Sequence, residues 1–82
     1  MDSKPSFLEF ITSQIKLIKP SFDGKLNSDT ELSNIGFDDI DFIELTIEIE
    51  EEYDLLLNES IVSELKTIGD VVEYVELQAR YN

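Results

Sequence analysis

The chain has 82 residues, 19 of them acidic and 6 basic, so its formal net charge is −13. It contains neither cysteine nor histidine, which excludes disulfides, thiolate nucleophiles, imidazole catalysis and the usual zinc sites. The charge disfavours nucleic acid and anionic membranes as partners, because phosphate binding needs lysine and arginine. No signal-peptide pattern or long apolar run occurs. We therefore expect one small cytoplasmic domain over residues 1–82, monomeric, whose partners are basic proteins.

The acids are concentrated in the middle of the chain. Thirteen of the nineteen lie between Leu26 and Leu65, a segment with no lysine or arginine, whereas the first 25 residues are slightly basic. An acidic run is most often just a solvated helix face. By itself this asymmetry only hints at an electropositive partner.

Apolar spacing predicts helices and almost no strands. The first helix runs from about Pro5 to Ile18 and ends before Pro20, and Ser6 with Glu9 three residues later forms a capping box. A long polar connection follows, with four apolar side chains as inward anchors. These anchors are Phe22, Leu26, Leu32 and Ile35.

Three further helices are predicted after this connection. Asp38 caps a second helix that ends near Tyr53, and a short helical piece covers about Glu59 to Leu65. The last helix runs from about Ile68 to Arg80, capped by Thr67 with Asp70. The predicted fold is therefore all-α, a small four-helix bundle with a long loop between helices 1 and 2 and a short helix 3.

The second helix has two apolar faces at 100° per residue. One stripe consists of Phe42, Leu45, Ile49 and Tyr53, and the other, on nearly the opposite side, of Ile40, Ile43 and Ile47. The second stripe is flanked by Glu44, Glu48 and Glu51. Either it is buried against the long loop, or it is an exposed strip rimmed by acids, which is typical of a docking surface for a basic partner.

The residues 35–45, Ile-Gly-Phe-Asp-Asp-Ile-Asp-Phe-Ile-Glu-Leu, resemble the prosthetic-group motif of acyl carrier proteins. That motif reads Leu/Ile-Gly-x-Asp-Ser-Leu/Ile at the start of the second of four helices. Residues 50–54 resemble the acidic, aromatic end of the family's second helix, and residues 65–70 the entry to its last helix. The resemblance covers essentially the whole chain and implies the four-helix carrier fold.

The chain departs from the motif at one position. The family's serine accepts phosphopantetheine through a phosphodiester, and Asp39 stands there instead. A carboxylate cannot form that bond, and neither Ser33 nor Thr46 replaces the hydroxyl at the helix start. As written, the chain is expected to hold no cofactor, whereas a serine at position 39 would imply phosphopantetheine. We also expect no acyl-chain cavity of useful size between helices 2 and 3.

The resemblance implies a carrier protein of fatty-acid or polyketide-type biosynthesis, not an enzyme, in a form unable to carry an acyl chain. Its partners would be phosphopantetheinyl transferase, synthases and acyltransferases. On the surface that would bind these enzymes, acidic side chains attract the basic partner and apolar side chains make the contact. The implied partner-binding residues are Asp38, Ile40, Asp41, Ile43, Glu44, Ile47, Glu48, Ile61 and Val62.

The alternative is a naturally non-carrying interaction or regulatory protein that keeps only the docking face. Two origins of Asp39 are possible. Either the natural protein itself lacks the serine, or the natural protein has a serine at this position that was altered to aspartate. A metal site is not expected, because the loop from Asp23 to Asp29 lacks the alternating ligands and closing glutamate of an EF-hand. Asp38 and Asp39 at a helix start are read as capping residues rather than a catalytic pair.

Overall fold

The computed structural model describes residues 6–80. In this range it has four α-helices and a 3-10 helix. They are α1 (Phe7–Ile18), the 3-10 helix (Leu32–Ile35), α2 (Asp39–Tyr53), α3 (Glu59–Val62) and α4 (Ile68–Arg80). α1 packs against α2 and α4, and α2 contacts α3. The predicted all-α architecture, with its long first connection and short third helix, is confirmed.

The helix starts follow the capping pattern of the sequence. At α1 the Ser6 N–H donates to Glu9 Oε1 at 2.9 Å, and the Glu9 N–H donates to Ser6 Oγ at 3.1 Å. At α4 the Thr67 N–H donates to Asp70 Oδ2, and the Asp70 N–H donates to Thr67 Oγ1, both at 3.1 Å. Both capping boxes were predicted, whereas Pro5 lies outside the described residues.

α3 is shorter than predicted. It ends at Val62, and the predicted continuation to Leu65 is a turn. The Glu64 N–H donates to the Ile61 carbonyl at 3.0 Å and the Leu65 N–H to the Val62 carbonyl at 3.1 Å. Because these bonds join residues three apart, the chain tightens here instead of continuing the α-helix.

One apolar core joins all the elements. α2 contributes the first of its two predicted stripes, with Leu45 and Ile49 fully buried. The buried apolar residues are Ile11, Ile15, Leu32, Ile35, Phe37, Phe42, Leu45, Ile49, Leu55, Val62, Ile68, Val71 and Val75. No helix of residues 6–80 is both long enough and apolar enough to span a bilayer.

The long connection is anchored to the core and to the start of α4. Leu32 and Ile35 are buried and Phe22 and Leu26 partly buried, as predicted. The Ile68 N–H donates to the Thr30 carbonyl at 3.0 Å, and two further backbone bonds join Leu32 to Lys66 and Gly69 to Ser28. The loop therefore supplies acceptors for the first N–H groups of α4, which have no partner within the helix.

Gly36 makes the turn that leads into α2. It ends the 3-10 helix with φ of +80°, in the left-handed region. A Cβ at this position would meet no atom within 4 Å. A Gly36→Ala variant therefore measures only the free-energy cost of placing alanine in the left-handed backbone conformation. We expect it to lower the free energy of unfolding by about 1 kcal/mol. Urea denaturation would measure this, and an unchanged midpoint would contradict the role assigned to Gly36.

Candidate functional site

The start of α2 is held by a reciprocal capping box. Asp38 is extended (φ −115°, ψ −175°), and its Oδ1 accepts the Asp41 N–H at 2.9 Å. The Asp38 N–H in turn donates to Asp41 Oδ2 at 3.0 Å. Two carboxylates therefore satisfy two N–H groups at the positive end of the helix dipole. Asp39 is the first residue of the helix and is exposed.

A lysine from α1 joins this arrangement. Lys19 caps the C-terminus of α1, and its Nζ lies 2.9 Å from Asp41 Oδ2. Burial by itself would raise the pKa of Asp41, but hydrogen bonds from the Lys19 ammonium and the Asp38 N–H, and the Lys19 charge, hold it below its ordinary value of 3.8. The same bond raises the pKa of Lys19. The end of α1 is thereby attached to the start of α2.

Two of the predicted partner-binding residues do not face solvent. Asp41 is buried because it completes the capping box and pairs with Lys19. Val62 is fully buried because it belongs to the face of α3 that packs into the core. The interpretation of Asp41 and Val62 as partner-facing residues is therefore wrong, and their effect on any partner would be indirect.

The remaining predicted docking residues are on the surface. Ile40 is 67% exposed, and Ile43 and Ile47 are 39% and 42% exposed, so the second stripe of α2 is not buried against the long loop. Ile61 of α3 is 43% exposed. The acids that accompany them are also exposed; they are Asp38, Asp39, Glu44 and Glu48. The structure thus has an apolar strip with an acidic rim.

Surface clefts lie on both sides of this strip. On the α3 side a cleft of about 210 Å³ is lined by Asp39, Phe42, Ile43, Glu59, Ser60 and Ser63. On the α1 side a cleft of about 380 Å³ is lined by Gln14, Leu17, Ile18, Glu44, Ile47 and Glu48. The cleft on the α3 side opens to solvent and is not an enclosed cavity, so the expectation of no acyl-chain cavity of useful size between α2 and α3 stays a prediction. Ile43 and Ile47, taken together as one stripe in the sequence, belong to different clefts.

No hydroxyl among residues 6–80 occupies the first turn of α2. Thr46 is fully buried, and its Oγ1 donates to the Phe42 carbonyl at 2.7 Å. Ser33 and Ser63 line a cleft beside Asp39 but belong to the 3-10 helix and the end of α3. The residues present therefore do not fit a phosphodiester-linked prosthetic group at this position.

An aromatic cluster fixes the opposite end of α2. The Tyr53 ring lies 4.7 Å from that of Phe7 and 5.4 Å from that of Phe10, both edge to face. Burial, and to a lesser degree the Glu52 charge, raise the pKa of Tyr53. Sequence periodicity placed Phe7 and Tyr53 on inward faces but did not show that they meet. α1 therefore holds α2 at both of its ends.

The described residues form a small helical bundle whose second helix is held at both ends and carries an exposed apolar strip with an acidic rim. Comparison with known proteins identifies the family. Residues 21–75 match the family described as "Phosphopantetheine attachment site", which is more than half of the chain. The chain therefore belongs to this family, and within it to the acyl carrier proteins, which are carriers rather than enzymes.

Curated relatives that carry the name acyl carrier protein include proteins from the following three organisms. The mitochondrial protein of Saccharomyces cerevisiae is 35% identical over 52 residues, which are 62% of this chain and 42% of the yeast protein. The Trieres chinensis protein is 34% identical, covering 67% of this chain and 68% of its own. The Phytoplasma mali protein is 34% identical, covering 83% and 77%. The matched region thus ranges from less than half to about three quarters of these relatives.

A solved structure has the same fold. The crystal structure of an acyl carrier protein from Thermotoga maritima superposes with a TM-score of 0.71 and covers 92% of both chains. The two sequences are 19% identical. The similarity establishes that the four-helix arrangement is that of an acyl carrier protein.

Proposed function

We propose that this protein is an acyl carrier protein of fatty-acid or polyketide-type biosynthesis in a form that accepts no phosphopantetheine, because Asp39 occupies the attachment position. One observation carries the proposal: Asp39 is exposed as the first residue of α2, directly after the capping residue Asp38. A carboxylate attacking a phosphate there would give a mixed anhydride, which is hydrolytically labile. The cytoplasmic location and monomeric state remain part of this proposal.

The proposed partners are enzymes that act on carrier proteins, among them phosphopantetheinyl transferases, synthases and acyltransferases. Four isoleucines supply the apolar contact, and exposed acids attract basic grooves. The proposed docking residues are Asp38, Ile40, Ile43, Glu44, Ile47, Glu48 and Ile61. The Asp39 carboxylate places one negative charge at the helix start, where the family's phosphate is attached. The chain thereby partly reproduces the charge of a modified carrier.

Mass spectrometry after incubation with a phosphopantetheinyl transferase and coenzyme A tests the attachment. We expect the mass of the chain to stay unchanged, because no hydroxyl occupies the first turn of α2 within residues 6–80. An Asp39→Ser variant should gain one phosphopantetheine group. Modification of the unaltered chain would overturn the proposal, and peptide mapping would then identify the modified residue.

The second candidate function is a non-carrying interaction or regulatory protein that uses only the docking face. The observation that favours it is the exposed isoleucine strip, whose side chains are available for docking whichever residue stands at position 39. Such a protein would occupy carrier-dependent enzymes without passing on a cargo.

A competition assay separates docking from loading. An excess of the unaltered chain should slow loading of the Asp39→Ser variant if both bind the transferase. An Ile43→Gln competitor should be about 5- to 10-fold weaker, because it loses apolar burial at the interface. Leu77→Gln on α4 is the matched control, since Leu77 is 42% exposed and Ile43 39%. Equal effects of the two variants would contradict docking through the strip.

A further inference from the structure

Another surface cleft lies where the long loop passes over the start of α4. Its volume is about 520 Å³. Its lining residues include Ser28 and Asp29 from the loop and Asp70, Glu73 and Glu76 from α4. No lysine or arginine of residues 6–80 lines it, and it shares no residue with the proposed docking face. The cleft therefore has no part in the function proposed above.

The Ser28 hydroxyl is a nucleophilic group of this cleft that the fold does not use. Ser28 is exposed, and its Oγ takes part in no hydrogen bond within residues 6–80. The polar side chains beside it are engaged. Asn27 Oδ1 accepts the Asp29 N–H at 2.8 Å, and Thr30 Oγ1 accepts the Asn27 N–H at 2.9 Å. Ser28 can therefore be modified without the loss of a side-chain hydrogen bond.

The residues that follow Ser28 are acidic. Asp29 comes directly after it and Glu31 three positions after it, and both are exposed. Ser6 also has a glutamate three positions later, but its Oγ accepts the Glu9 N–H in the cap of α1. A protein kinase whose substrate groove carries lysine and arginine selects a serine followed by acids through charge complementarity. Residues 28–31, Ser-Asp-Thr-Glu, fit such an acidophilic serine kinase.

We propose that Ser28 is a phosphorylation site and that its modification loosens the junction between the long loop and α4. The Ser28 Oγ attacks the γ-phosphorus of ATP and forms a new O–P bond. The bond from the γ-phosphorus to the oxygen that bridges it to the β-phosphorus breaks, and ADP leaves. The hydroxyl proton passes to the catalytic carboxylate of the kinase. This inference goes beyond the proposed function, since it uses no group at position 39.

The first N–H groups of α4 leave no donor for the phosphoryl oxygens. A helix N-terminus ordinarily attracts a phosphate, because its N–H groups are unpaired and its dipole is positive. Here the Ile68 N–H donates to the Thr30 carbonyl at 3.0 Å, and the Gly69 N–H to the Ser28 carbonyl at 2.9 Å. The Asp70 N–H is held in the capping box of α4. A phosphoryl group could bind here only by displacing these acceptors.

Carboxylates surround the modified position instead. Ser28 lies directly against the helix, because a Cβ added at Gly69 would lie 3.2 Å from the Ser28 Cβ. Phosphoserine carries a charge of about −1.5 to −2 at pH 7, and Asp70 and Glu73 line the same cleft. Like-charge repulsion then pushes the loop away from α4 and weakens the bond from the Gly69 N–H to the Ser28 carbonyl.

Mass spectrometry after incubation of the full chain with a purified acidophilic casein kinase and magnesium ATP tests the modification. We expect the addition of one phosphoryl group, which peptide mapping should place on Ser28. Ser28→Ala should abolish the addition. Ser33→Ala should leave it unchanged, since Ser33 is exposed but is followed by Asn-Ile-Gly. A chain that stays unmodified, or a phosphoryl group on another residue, would overturn the proposal.

A pair of glutamine variants tests whether the acids after Ser28 direct the kinase. Glu31→Gln should lower kcat/KM for phosphorylation about 5- to 10-fold, because it removes a charge that pairs with the basic substrate groove. Glu52→Gln is the matched control, since it removes the same charge from an exposed glutamate of α2. Equal rates for the two variants would contradict recognition of residues 28–31 and overturn the site.

Amide hydrogen exchange measures the effect of the phosphoryl group on the fold. In the phosphorylated chain the amides of Ile68 and Gly69 should exchange about 10-fold faster, because their acceptors belong to the repelled loop. Glu73→Gln should reduce this difference, whereas Glu52→Gln should not. Unchanged or slower exchange on phosphorylation would overturn the loosening. Because neither measurement uses the transferase or coenzyme A, failure of the loading assay would leave this result unaffected.

Discussion

An Asp41→Asn variant is expected to lose about 1.5 kcal/mol of unfolding free energy, the typical contribution of a hydrogen-bonded charge. Asp41 accepts the Asp38 N–H and pairs with Lys19 while its side chain is only 11% exposed. Asparagine keeps the shape but loses the charge. The melting temperature should fall by roughly 6–12 °C, since 1 kcal/mol corresponds to about 4–8 °C in a domain of this size.

Asp39→Asn is the matched control for this prediction. Both substitutions remove one negative charge from the first turn of α2, but Asp39 is exposed and has no ion pair within residues 6–80. Its loss should change the unfolding free energy by about 0.5 kcal/mol or less. A cycle with Lys19→Met measures the coupling to Asp41. Equal destabilisation by the two asparagine variants would contradict the structural role of Asp41.

The contrast between these two acids shows what sequence alone could establish. The position of Asp39 at the start of α2 followed from its place after Asp38 and from the resemblance of residues 35–45 to the carrier motif. The cap by Asp38 was predicted, whereas Asp41 was interpreted as a partner-binding residue, although its spacing of three from Asp38 is that of a capping box. Lys19 lies 22 positions before Asp41. No local pattern could have shown that the two side chains meet.

The two stripes of α2 were predictable for a similar reason. Fifteen residues of helix define an angular pattern, and Leu45 and Ile49 are buried while Ile40 is exposed. α3 has four residues, too few to establish a face. This is why Val62 was misplaced. The strip is divided between two clefts because of the way α1 and α3 pack against α2. The periodicity of α2 alone could not predict this packing.

The acidic middle of the chain bears on stability as well as docking. Asp54 ends α2 in the left-handed region with φ of 55°, and Glu50 Oε2 accepts the Leu57 N–H at 2.8 Å. Tyr74 Oη accepts the Asn58 N–H at 3.1 Å. Some acids therefore have structural partners, but the exposed glutamates of α2 repel one another. They are Glu44, Glu48, Glu51 and Glu52.

Raising NaCl from 10 to 300 mM at pH 7 should increase the melting temperature by about 5 °C or more, because screening relieves repulsion in a chain of net charge −13. A variant with glutamine at the four exposed glutamates of α2 should have a smaller salt dependence. A melting temperature indifferent to salt in the unaltered chain would show that the acids are locally compensated.

The melting temperature at low pH tests how much the hydrogen-bonded carboxylates of Asp41 and Asp70 contribute to stability. Backbone and side-chain hydrogen bonds from Thr67 hold the pKa of Asp70 below 3.8, as the contacts of Asp41 do for its own. A folded-state pKa below the unfolded value gives stability that is present above 3.8 and lost as the pH falls through the folded pKa. At 10 mM NaCl the melting temperature should therefore fall as the pH drops below 3.8, because Asp41 and Asp70 become protonated on the way down and the stability given by their bonds is lost. In the Asp41→Asn variant the melting temperature should fall less steeply with decreasing pH, because one of the two carboxylates is absent. A fall as steep as that of the unaltered chain would show that other carboxylates cause the acid sensitivity.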